Sequence, residues 1–258
     1  ADTATTAPDC LVEQRGHILV VTMNRPEARN ALSTEMMRIM EEAWDRVDED
    51  PEIRVAILTG AGGAFCAGMD LKAFARGERC DIDGRGLGFT QSPPAKPLIA
   101  AVEGYALAGG TEVALSCDLI VAADTATFGL PEVQRGLIAG AGGLYRLPRA
   151  LPRHLALELV ATGDPLQASR AHQFGLVNHL VPALELQDTA LSLAQRIARN
   201  APLAVRESLT IARQAHDLDE APLRQLSAEG LARVAASEDL REGLQAFIEK
   251  RAPQWRGC

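Results

Sequence analysis

Lysines, paired cysteines and long apolar runs are scarce or missing in this 258-residue sequence. Lysine occurs only at Lys72, Lys96 and Lys250, so a phosphate site would have few lysines to draw on. The 5 cysteines form no C-x-x-C pair, which argues against a disulfide framework or a zinc ribbon. No apolar run reaches the roughly 18 residues of a membrane helix. The N-terminal residues 1–9 lack the features of a signal peptide. We therefore predict a cytoplasmic protein with no membrane partner and no metal.

The charge balance limits the partners further. Asp and Glu number 34 and Lys and Arg number 26, which gives a net charge of −8. Such a chain has no overall attraction to nucleic acid, and we expect no nucleic-acid partner. Its length and its apolar content of 47% are enough for a large buried core.

Several common catalytic motifs are also missing. Gly63 and Gly68 have the spacing of a phosphate-binding loop, but Met69-Asp70 follows where Lys-Ser/Thr is required. No G-x-G-x-x-G follows a strand, no serine lies in G-x-S-x-G, and no histidines have H-E-x-x-H spacing. Nucleotide hydrolysis, dinucleotide oxidoreduction, serine hydrolysis and zinc proteolysis all lose support. We assign no role to the 5 histidines.

Apolar patterning predicts strands that alternate with helices. Ser33 is a candidate N-cap for a helix that Asp50-Pro51 ends, and apolar runs predict strands over 17–23, 54–59, 97–102 and 119–123. This order favours an α/β fold with a substantially parallel sheet. After about residue 150 the pattern is mostly helical, and this tail either folds back over the core or packs against another subunit. The Gly-, Arg- and Asp-rich stretch 76–91 indicates a mobile surface segment.

Two glycine-rich turns, each after a buried strand, could form an oxyanion hole. Residues 67–70 end one turn and residues 107–110 end the other. Glycines let backbone N–H groups approach a ligand closely, and a following helix adds unpaired N–H donors. The simpler alternative is that these glycines only make tight turns between strand and helix.

Two glutamates among apolar neighbours are the candidate acid–base groups. Glu112 follows Gly110 in the first turn of a helix, and Glu132 follows Pro131. If both faced one water molecule, their pKa values would separate, leaving one carboxyl ionised as a base and the other protonated as an acid. Taken singly, a glutamate in either place is more often a helix-capping or salt-bridged residue.

Five segments together resemble the enoyl-CoA hydratase/isomerase (crotonase) superfamily. They occur in the family's order: 24–32 (NRPEARNAL), 65–71 (FCAGMDL), 96–104 (KPLIAAVEG), 108–112 (AGGTE) and 128–132 (FGLPE). The resemblance implies a spiral of repeated ββα units with C-terminal helices. It divides the chain into a disordered segment 1–9, a catalytic acyl-CoA-binding core 10–200 and a helical trimerisation region 201–258.

The resemblance also implies an acyl-CoA substrate, with coenzyme A bound only as part of it and no other cofactor. The backbone amides of Met69 and Gly109 match the two donors that hold the thioester oxygen. The implied CoA contacts are Ala28, Asn30, Ala31, Lys72, and, reaching a neighbouring subunit's ligand, Phe247 and Lys250. The implied acyl pocket includes Gly110, Leu137 and Gly140. The implied assembly is a homotrimer or a hexamer made of two trimers.

Glu112 and Glu132 match both glutamates of the hydratase branch. The resemblance therefore predicts an enoyl-CoA hydratase, with Glu112 activating water and Glu132 protonating the α-carbon. Two alternatives stay open: an isomerase or dehydratase acting on an unusual acyl-CoA, and a catalytically silent CoA-binding scaffold. Ala139, where many relatives have proline, and Leu144-Tyr145, in place of a commoner polar pair, could reshape the acyl pocket.

Overall fold

The computed structural model describes residues 7–79 and 81–258, in which strands alternate with helices. The strands are β1 (Cys10–Arg15), β2 (Ile18–Met23), β3 (Val55–Gly60), β4 (Leu98–Val102), β5 (Tyr105–Leu107), β6 (Leu119–Ala123), β7 (Thr127–Gly129), β8 (Leu166–Gln167) and β9 (His179–Val181). The helices are α1 (Thr34–Glu49), α2 (Leu71–Ala75), α3 (Gly109–Leu115), α4 (Gly143–Ala150), α5 (Arg153–Thr162), α6 (Ala168–Gln173), α7 (Leu186–Ala198), α8 (Pro202–Ala212), α9 (Glu220–Ala236) and α10 (Glu238–Glu249). Short 3-10 turns cover Pro26–Ala28, Pro131–Arg135 and Ala183–Glu185.

The main sheet has six strands in the order β1-β2-β3-β4-β6-β9. β1 runs antiparallel to β2, and every other pairing in this sheet is parallel. All residues of β4 are buried, as expected for a parallel strand covered on both faces. The prediction of an α/β fold with a substantially parallel sheet is confirmed.

A second sheet, in the order β5-β7-β8, supports the glycine-rich turns. β5 and β7 are parallel, and β8 is antiparallel to β7. An isolated parallel bridge joins Cys66 to Ala106 in β5. This bridge fixes the turn that follows β3 beside the turn that follows β5.

Helix α1 begins and ends where the sequence predicts. The Ser33 hydroxyl accepts a hydrogen bond from the Met36 amide at 3.0 Å, which satisfies one of the free donors of the first turn. Asp50, in an extended conformation, ends the helix before Pro51. The apolar side of α1 is buried, and the ring of Trp44 meets that of Phe89 edge to face at 5.4 Å.

The segment 76–91 is only partly the mobile surface segment that was predicted. Residues 76–79 are exposed and Cys80 lies outside the described residues, but Leu87, Phe89 and Thr90 are buried. The Thr90 hydroxyl accepts a hydrogen bond from the Leu87 amide at 3.0 Å. The prediction is wrong for the second half because two apolar side chains, hidden among glycines and arginines, fill space in the core.

The chain after α6 packs in two ways. Helix α7 buries Leu186, Ala190 and Ala194 against the main sheet, so this helix folds back over the core. Helices α8 and α9 pack on each other, and the Arg233 guanidinium lies 2.7 Å from the Glu207 carboxylate. The predicted division near residue 200 falls between α7 and α8.

The predicted disorder of residues 1–9 mostly concerns residues 1–6, which lie outside the described residues. Pro8 and Asp9 contradict it. The Asn24 side chain donates to the Pro8 carbonyl at 3.1 Å, and the Asn24 amide donates to the Asp9 carbonyl at 2.7 Å. The Asp9 carboxylate also accepts a hydrogen bond from the Ser33 hydroxyl. These bonds hold the chain in place just before β1.

Three features of residues 7–79 and 81–258 bear on function. No helix among them is long and apolar enough to cross a bilayer. They contain no group of three His, Cys, Asp or Glu side chains arranged to hold a metal ion. Cys10, Cys66, Cys117 and Cys258 are free thiols.

Candidate active site

A cavity of about 400 Å³ opens where the two glycine-rich turns meet the two glutamates. The turns contribute Ala67, Met69, Ala108 and Gly109, and the charged side chains in its lining are those of Glu112, Glu132, Arg29 and Arg135. Its walls are mostly apolar and include Leu71, Leu87, Leu107, Leu137 and Ile138. An apolar cleft with a few convergent polar groups is the usual form of a small-molecule site.

The first turn directs the Met69 amide away from Leu32, the residue that pairs with Met69 in an isolated bridge. The Leu32 amide donates to the Gly68 carbonyl at 2.8 Å, and the Asp70 amide donates to the Leu32 carbonyl at 3.2 Å. Because successive peptide groups in extended chain face opposite sides, the Met69 N–H points away from Leu32. Gly68 has a φ of +99°, which favours glycine.

The second turn brings the Gly109 amide close to the first. Ala108 has a φ of +53°, and its amide donates to the Gly129 carbonyl at 2.9 Å. Gly109 then begins α3, where the first amides have no partner within the helix. A Cβ placed on Gly68 would lie 3.2 Å from the Gly109 nitrogen, so the two turns touch. Within the described part of the chain, neither the Met69 nor the Gly109 amide donates a hydrogen bond.

Gly110 lies behind the cavity rather than in its wall. A Cβ there would sit 2.0 Å from the Cys66 carbonyl oxygen, so only glycine allows α3 to pack this closely on the first turn. The resemblance implied an acyl-pocket contact for Gly110, whereas the structure gives it a packing role. Leu137 and Gly140, the other implied pocket residues, do line the cavity.

Glu112 is a buried carboxylate held by two backbone amides. It is 3% exposed, and its Oε1 accepts hydrogen bonds from the Ala141 amide at 2.8 Å and the Gly143 amide at 3.0 Å. Burial raises the pKa of Glu112, whereas these two amides and the charge of Arg146 act to lower it. The two amides favour the ionised form of the carboxyl, which burial disfavours.

Glu132 has a contrasting environment at the start of the 3-10 turn. Its Oε2 is buried and has no hydrogen-bond partner among the described residues. Burial raises the pKa of Glu132, its own backbone amide acts to lower it, and the nearby charge of Glu112 raises it. Each effect that raises the pKa of Glu132 favours its protonated form. The structure brings together all four groups, the two amides and the two carboxyls, around one cavity.

The residues around the first 3-10 turn are largely committed to backbone contacts. The fully buried Asn30 side chain donates to the carbonyls of Ala61 at 2.9 Å and Ala64 at 2.7 Å. The Ala31 carbonyl accepts from the Arg25 guanidinium at 2.8 Å, and Ala28 ends the turn. Because the Asn30 side chain is already used in these hydrogen bonds, the implied CoA contact at Asn30 would have to come from its backbone.

The other implied CoA contacts lie outside the cavity. Lys72 is on α2, next to the cavity-lining Leu71. Phe247 is 84% exposed on α10, and Lys250 follows the end of that helix. Ala139 is buried in the core, and Leu144 and Tyr145 are exposed on α4, so none of these three lines the cavity.

No sequence pattern predicted the loop that holds Glu112 or one wall of the cavity. Ala141 and Gly143 act through backbone amides, which every residue except proline carries, so no side-chain pattern marks them. Leu87 lines the cavity from within the segment predicted to be mobile. The apolar pair Leu87 and Phe89 was the available signal for a buried stretch.

Three comparisons with known proteins identify the same family. A model of the enoyl-CoA hydratase/isomerase family matches residues 13–258. Enoyl-CoA hydratase EchA19 of Mycobacterium tuberculosis is 47% identical, with 98% of each chain covered. The mevalonyl-coenzyme A hydratase sidH of Aspergillus fumigatus is 43% identical, over 97% of this chain and 96% of that protein. The crystal structure of enoyl-CoA hydratase EchA1 from Mycobacterium marinum matches with a TM-score of 0.96 and 53% identity, over 98% of this chain and 100% of that one.

The fold and the site define an α/β enzyme with two glycine-rich turns and two carboxyls around one cavity. The chain belongs to the enoyl-CoA hydratase/isomerase family, and its fold is that of the crotonase superfamily. The resemblance inferred from five short segments is confirmed.

Proposed function

We propose that this enzyme adds water reversibly to a 2-enoyl-CoA thioester, giving a 3-hydroxyacyl-CoA. The observation that carries the proposal is the convergence of Glu112 and Glu132 on the cavity that the Met69 and Gly109 turns also line. The hydratases among its relatives support the same reaction.

The two free amides bind the thioester oxygen. Negative charge grows on this oxygen as water adds to the double bond and an enolate forms. Donors already in place for that charge lower the barrier, by about 3 to 4 kcal/mol for one donor in other enzymes. The tight contacts at Gly68 and Gly110 keep the donors in position before substrate arrives.

The two carboxyls move the protons of one water molecule. Ionised Glu112 removes a proton from water as the water oxygen bonds to C3. The π electrons of the C2–C3 double bond move towards the thioester oxygen, and Glu132 gives its proton to C2 as the carbonyl reforms. The added atoms all come from water, and a proton passes from Glu112 back to Glu132 to restore the starting state. We therefore propose that the step uses no cofactor besides the CoA carried by the substrate.

The hydrogen bonds at each carboxyl support this assignment of roles. Two amides stabilise a negative charge on Glu112, the form that a general base needs. The partnerless Oε2 of Glu132, next to the Glu112 charge, favours the protonated form that a general acid needs. The apolar walls around them fit a hydrocarbon acyl group of short or medium length.

We also propose that the chain works as a homotrimer or as a hexamer of two trimers. Leu231 on α9 is 70% exposed, and Leu244, Phe247 and Ile248 on α10 are 58%, 84% and 72% exposed. Large apolar side chains grouped in this way are typical of a surface that another protein covers. Light scattering of the purified protein should give three or six times the chain mass. A monomer would contradict the proposal.

The direct test of the reaction is turnover on a panel of 2-enoyl-CoA substrates of different length and bulk. Hydration removes the conjugation of the enoyl thioester, so its ultraviolet absorbance should fall. Turnover in water enriched in oxygen-18 should place the label on C3 of the product. Strong isomerisation of 3-enoyl-CoA with no hydration across the panel would contradict the proposal, and so would the absence of any turnover.

A further inference from the structure

Arg146, on helix α4, connects three separate parts of the active-site region. Its Nη2 donates to the Thr90 carbonyl at 2.6 Å. Its Nη1 donates to the Ser116 hydroxyl at 2.9 Å and to the Ala141 carbonyl at 3.3 Å. It forms no ion pair within residues 7–79 and 81–258, so one charged guanidinium serves three neutral acceptors.

Two of these acceptors belong to the structure that holds Glu112. The Ser116 hydroxyl, just beyond α3, donates to the Glu112 carbonyl at 2.7 Å. Ala141 accepts from Arg146 through its carbonyl and donates through its amide to the Glu112 carboxylate. The guanidinium therefore binds one residue that holds the backbone of the proposed base and one residue that holds its side chain.

The third acceptor belongs to the wall beside the oxyanion-binding turn. Thr90 accepts the Leu87 amide through its hydroxyl, which fixes Leu87 in the cavity wall. A Cβ on Gly109 would lie 2.9 Å from Cδ1 of Leu87, so this leucine packs directly on the Gly109 turn.

Gly142 leaves the space that the guanidinium occupies. Its φ is +120°, and a Cβ there would lie 2.2 Å from Nη1 of Arg146. A planar group with several fixed donors suits this position, because it reaches carbonyls on two sides at once. A lysine would keep the charge but could not hold all three contacts.

We propose that Arg146 is a positioning residue that fixes the Glu112 carboxylate relative to the Gly109 amide. This role rests on the proposed hydration, in which those two groups act on the same substrate. A small misplacement of either group costs rate rather than substrate affinity, since the CoA part binds elsewhere.

Arg146 also contributes a charge at the site. The charged groups that face Glu112 are Arg146, from α4, and Glu132, from the 3-10 turn, while Arg135 faces Glu132. The Arg146 charge lowers the pKa of Glu112. Loss of that charge raises the pKa, so the proposed base becomes ionised only at higher pH.

The test compares R146M, R146K and the control R149M. Arg149 lies on the same helix, pairs with exposed Asp217 at 2.8 Å and, like Arg146, lies near the Tyr145 ring, but it makes none of the three contacts. R146M should lower kcat by at least about 10-fold while KM changes by less than about 3-fold. Its acidic limb of kcat/KM should move to higher pH. R146K should be intermediate in kcat, and R149M should match the parent protein.

A purely structural role gives a different result. Thermal unfolding identifies the temperature at which every variant is folded, and kinetics are compared there. If folded R146M keeps the parent's kcat and pH profile, the proposal is wrong.

A second measurement does not depend on hydration. With ¹³C-labelled glutamate carboxyls, the signal that is lost in E112Q belongs to Glu112, and its titration is followed in the parent and in R146M. A higher pKa in R146M supports the proposal, and an unchanged pKa contradicts it. Absence of hydration in the parent protein would overturn the proposed function alone.

Discussion

The two glutamates of the active site have opposite surroundings although they face the same cavity. Glu112 lies on a helix, is almost fully buried and receives two backbone amides on one oxygen. Glu132 lies on a 3-10 turn and has a buried oxygen with no partner among the described residues. The comparison teaches that hydrogen-bond donors, and not burial alone, distinguish two carboxyls whose pKa values burial raises.

The loss of the proposed base, Glu112, should have the largest effect. E112Q keeps the shape of the side chain and an oxygen for the Ala141 and Gly143 amides, but removes the group that accepts a proton. We expect hydration to slow by about 1000-fold. Steady-state kinetics on a 2-enoyl-CoA measures this, and an unchanged affinity for CoA thioester shows that the site is intact. A loss of less than about 10-fold would assign the base elsewhere.

The loss of the acid should be smaller and should separate two reactions. E132Q is expected to slow hydration by about 100-fold, because no group then protonates C2. Proton transfer at C2 is also part of isomerisation, so any isomerase activity should fall chiefly in E132Q and much less in E112Q. Parallel assays on 2-enoyl-CoA and 3-enoyl-CoA check this. Equal losses of both reactions in both variants would contradict the assignment of different roles to Glu112 and Glu132.

Removal of a hydroxyl that anchors α3 should lower the stability of the folded protein. The Thr111 hydroxyl accepts from the Gly129 amide at 2.9 Å and lies 2.5 Å from the Ala106 carbonyl, so it joins α3 to β5 and β7. T111V should lower the free energy of unfolding by about 2 kcal/mol, because it leaves a buried amide without a partner. The control T210V, at an exposed position of α8, removes only a hydroxyl bond to the Arg206 carbonyl and should cost under about 0.5 kcal/mol. Denaturant unfolding of both variants measures these changes in the free energy of unfolding.

The smallest expected effect is on how the free energy of unfolding depends on pH. The pKa of Glu132 is raised in the folded protein, so the folded state favours the protonated form, and its advantage is lost as pH rises through that pKa. The glutamine of E132Q stays neutral at every pH, so the variant does not lose this stabilisation as pH rises. Relative to the parent, its free energy of unfolding should be higher at pH 8 by up to about 1 kcal/mol, with the gap closing towards pH 4. A gap that widens on acidification would mean that the carboxyl is stabilised as an anion.

Regular elements with a clear apolar period could be predicted from the sequence. Ser33 and Asp50 mark the ends of α1, and the apolar runs mark β3, β4 and β6. The two glutamates could be singled out by their position after glycine-rich turns. Their approach to one cavity came only from the family resemblance, because nothing in the local sequence relates residue 112 to residue 132.

The rest depends on contacts between distant segments. The amides of Ala141 and Gly143 cannot be distinguished from other amides until the chain is folded. Nothing in the local sequence marks Arg146, because its guanidinium reaches carbonyls 56 and 5 residues away. Leu87 and Phe89 lie in a stretch whose composition is typical of a loop, so tertiary packing alone reveals their burial.

The most direct test of the central claim is a crystal structure of E132Q with a bound 2-enoyl-CoA. The account predicts that the thioester oxygen lies within about 3.2 Å of both the Met69 and Gly109 nitrogens, with a water molecule between Glu112 and the variant side chain. A thioester oxygen that contacts neither amide, or two side chains too far apart to share one water molecule, would contradict it.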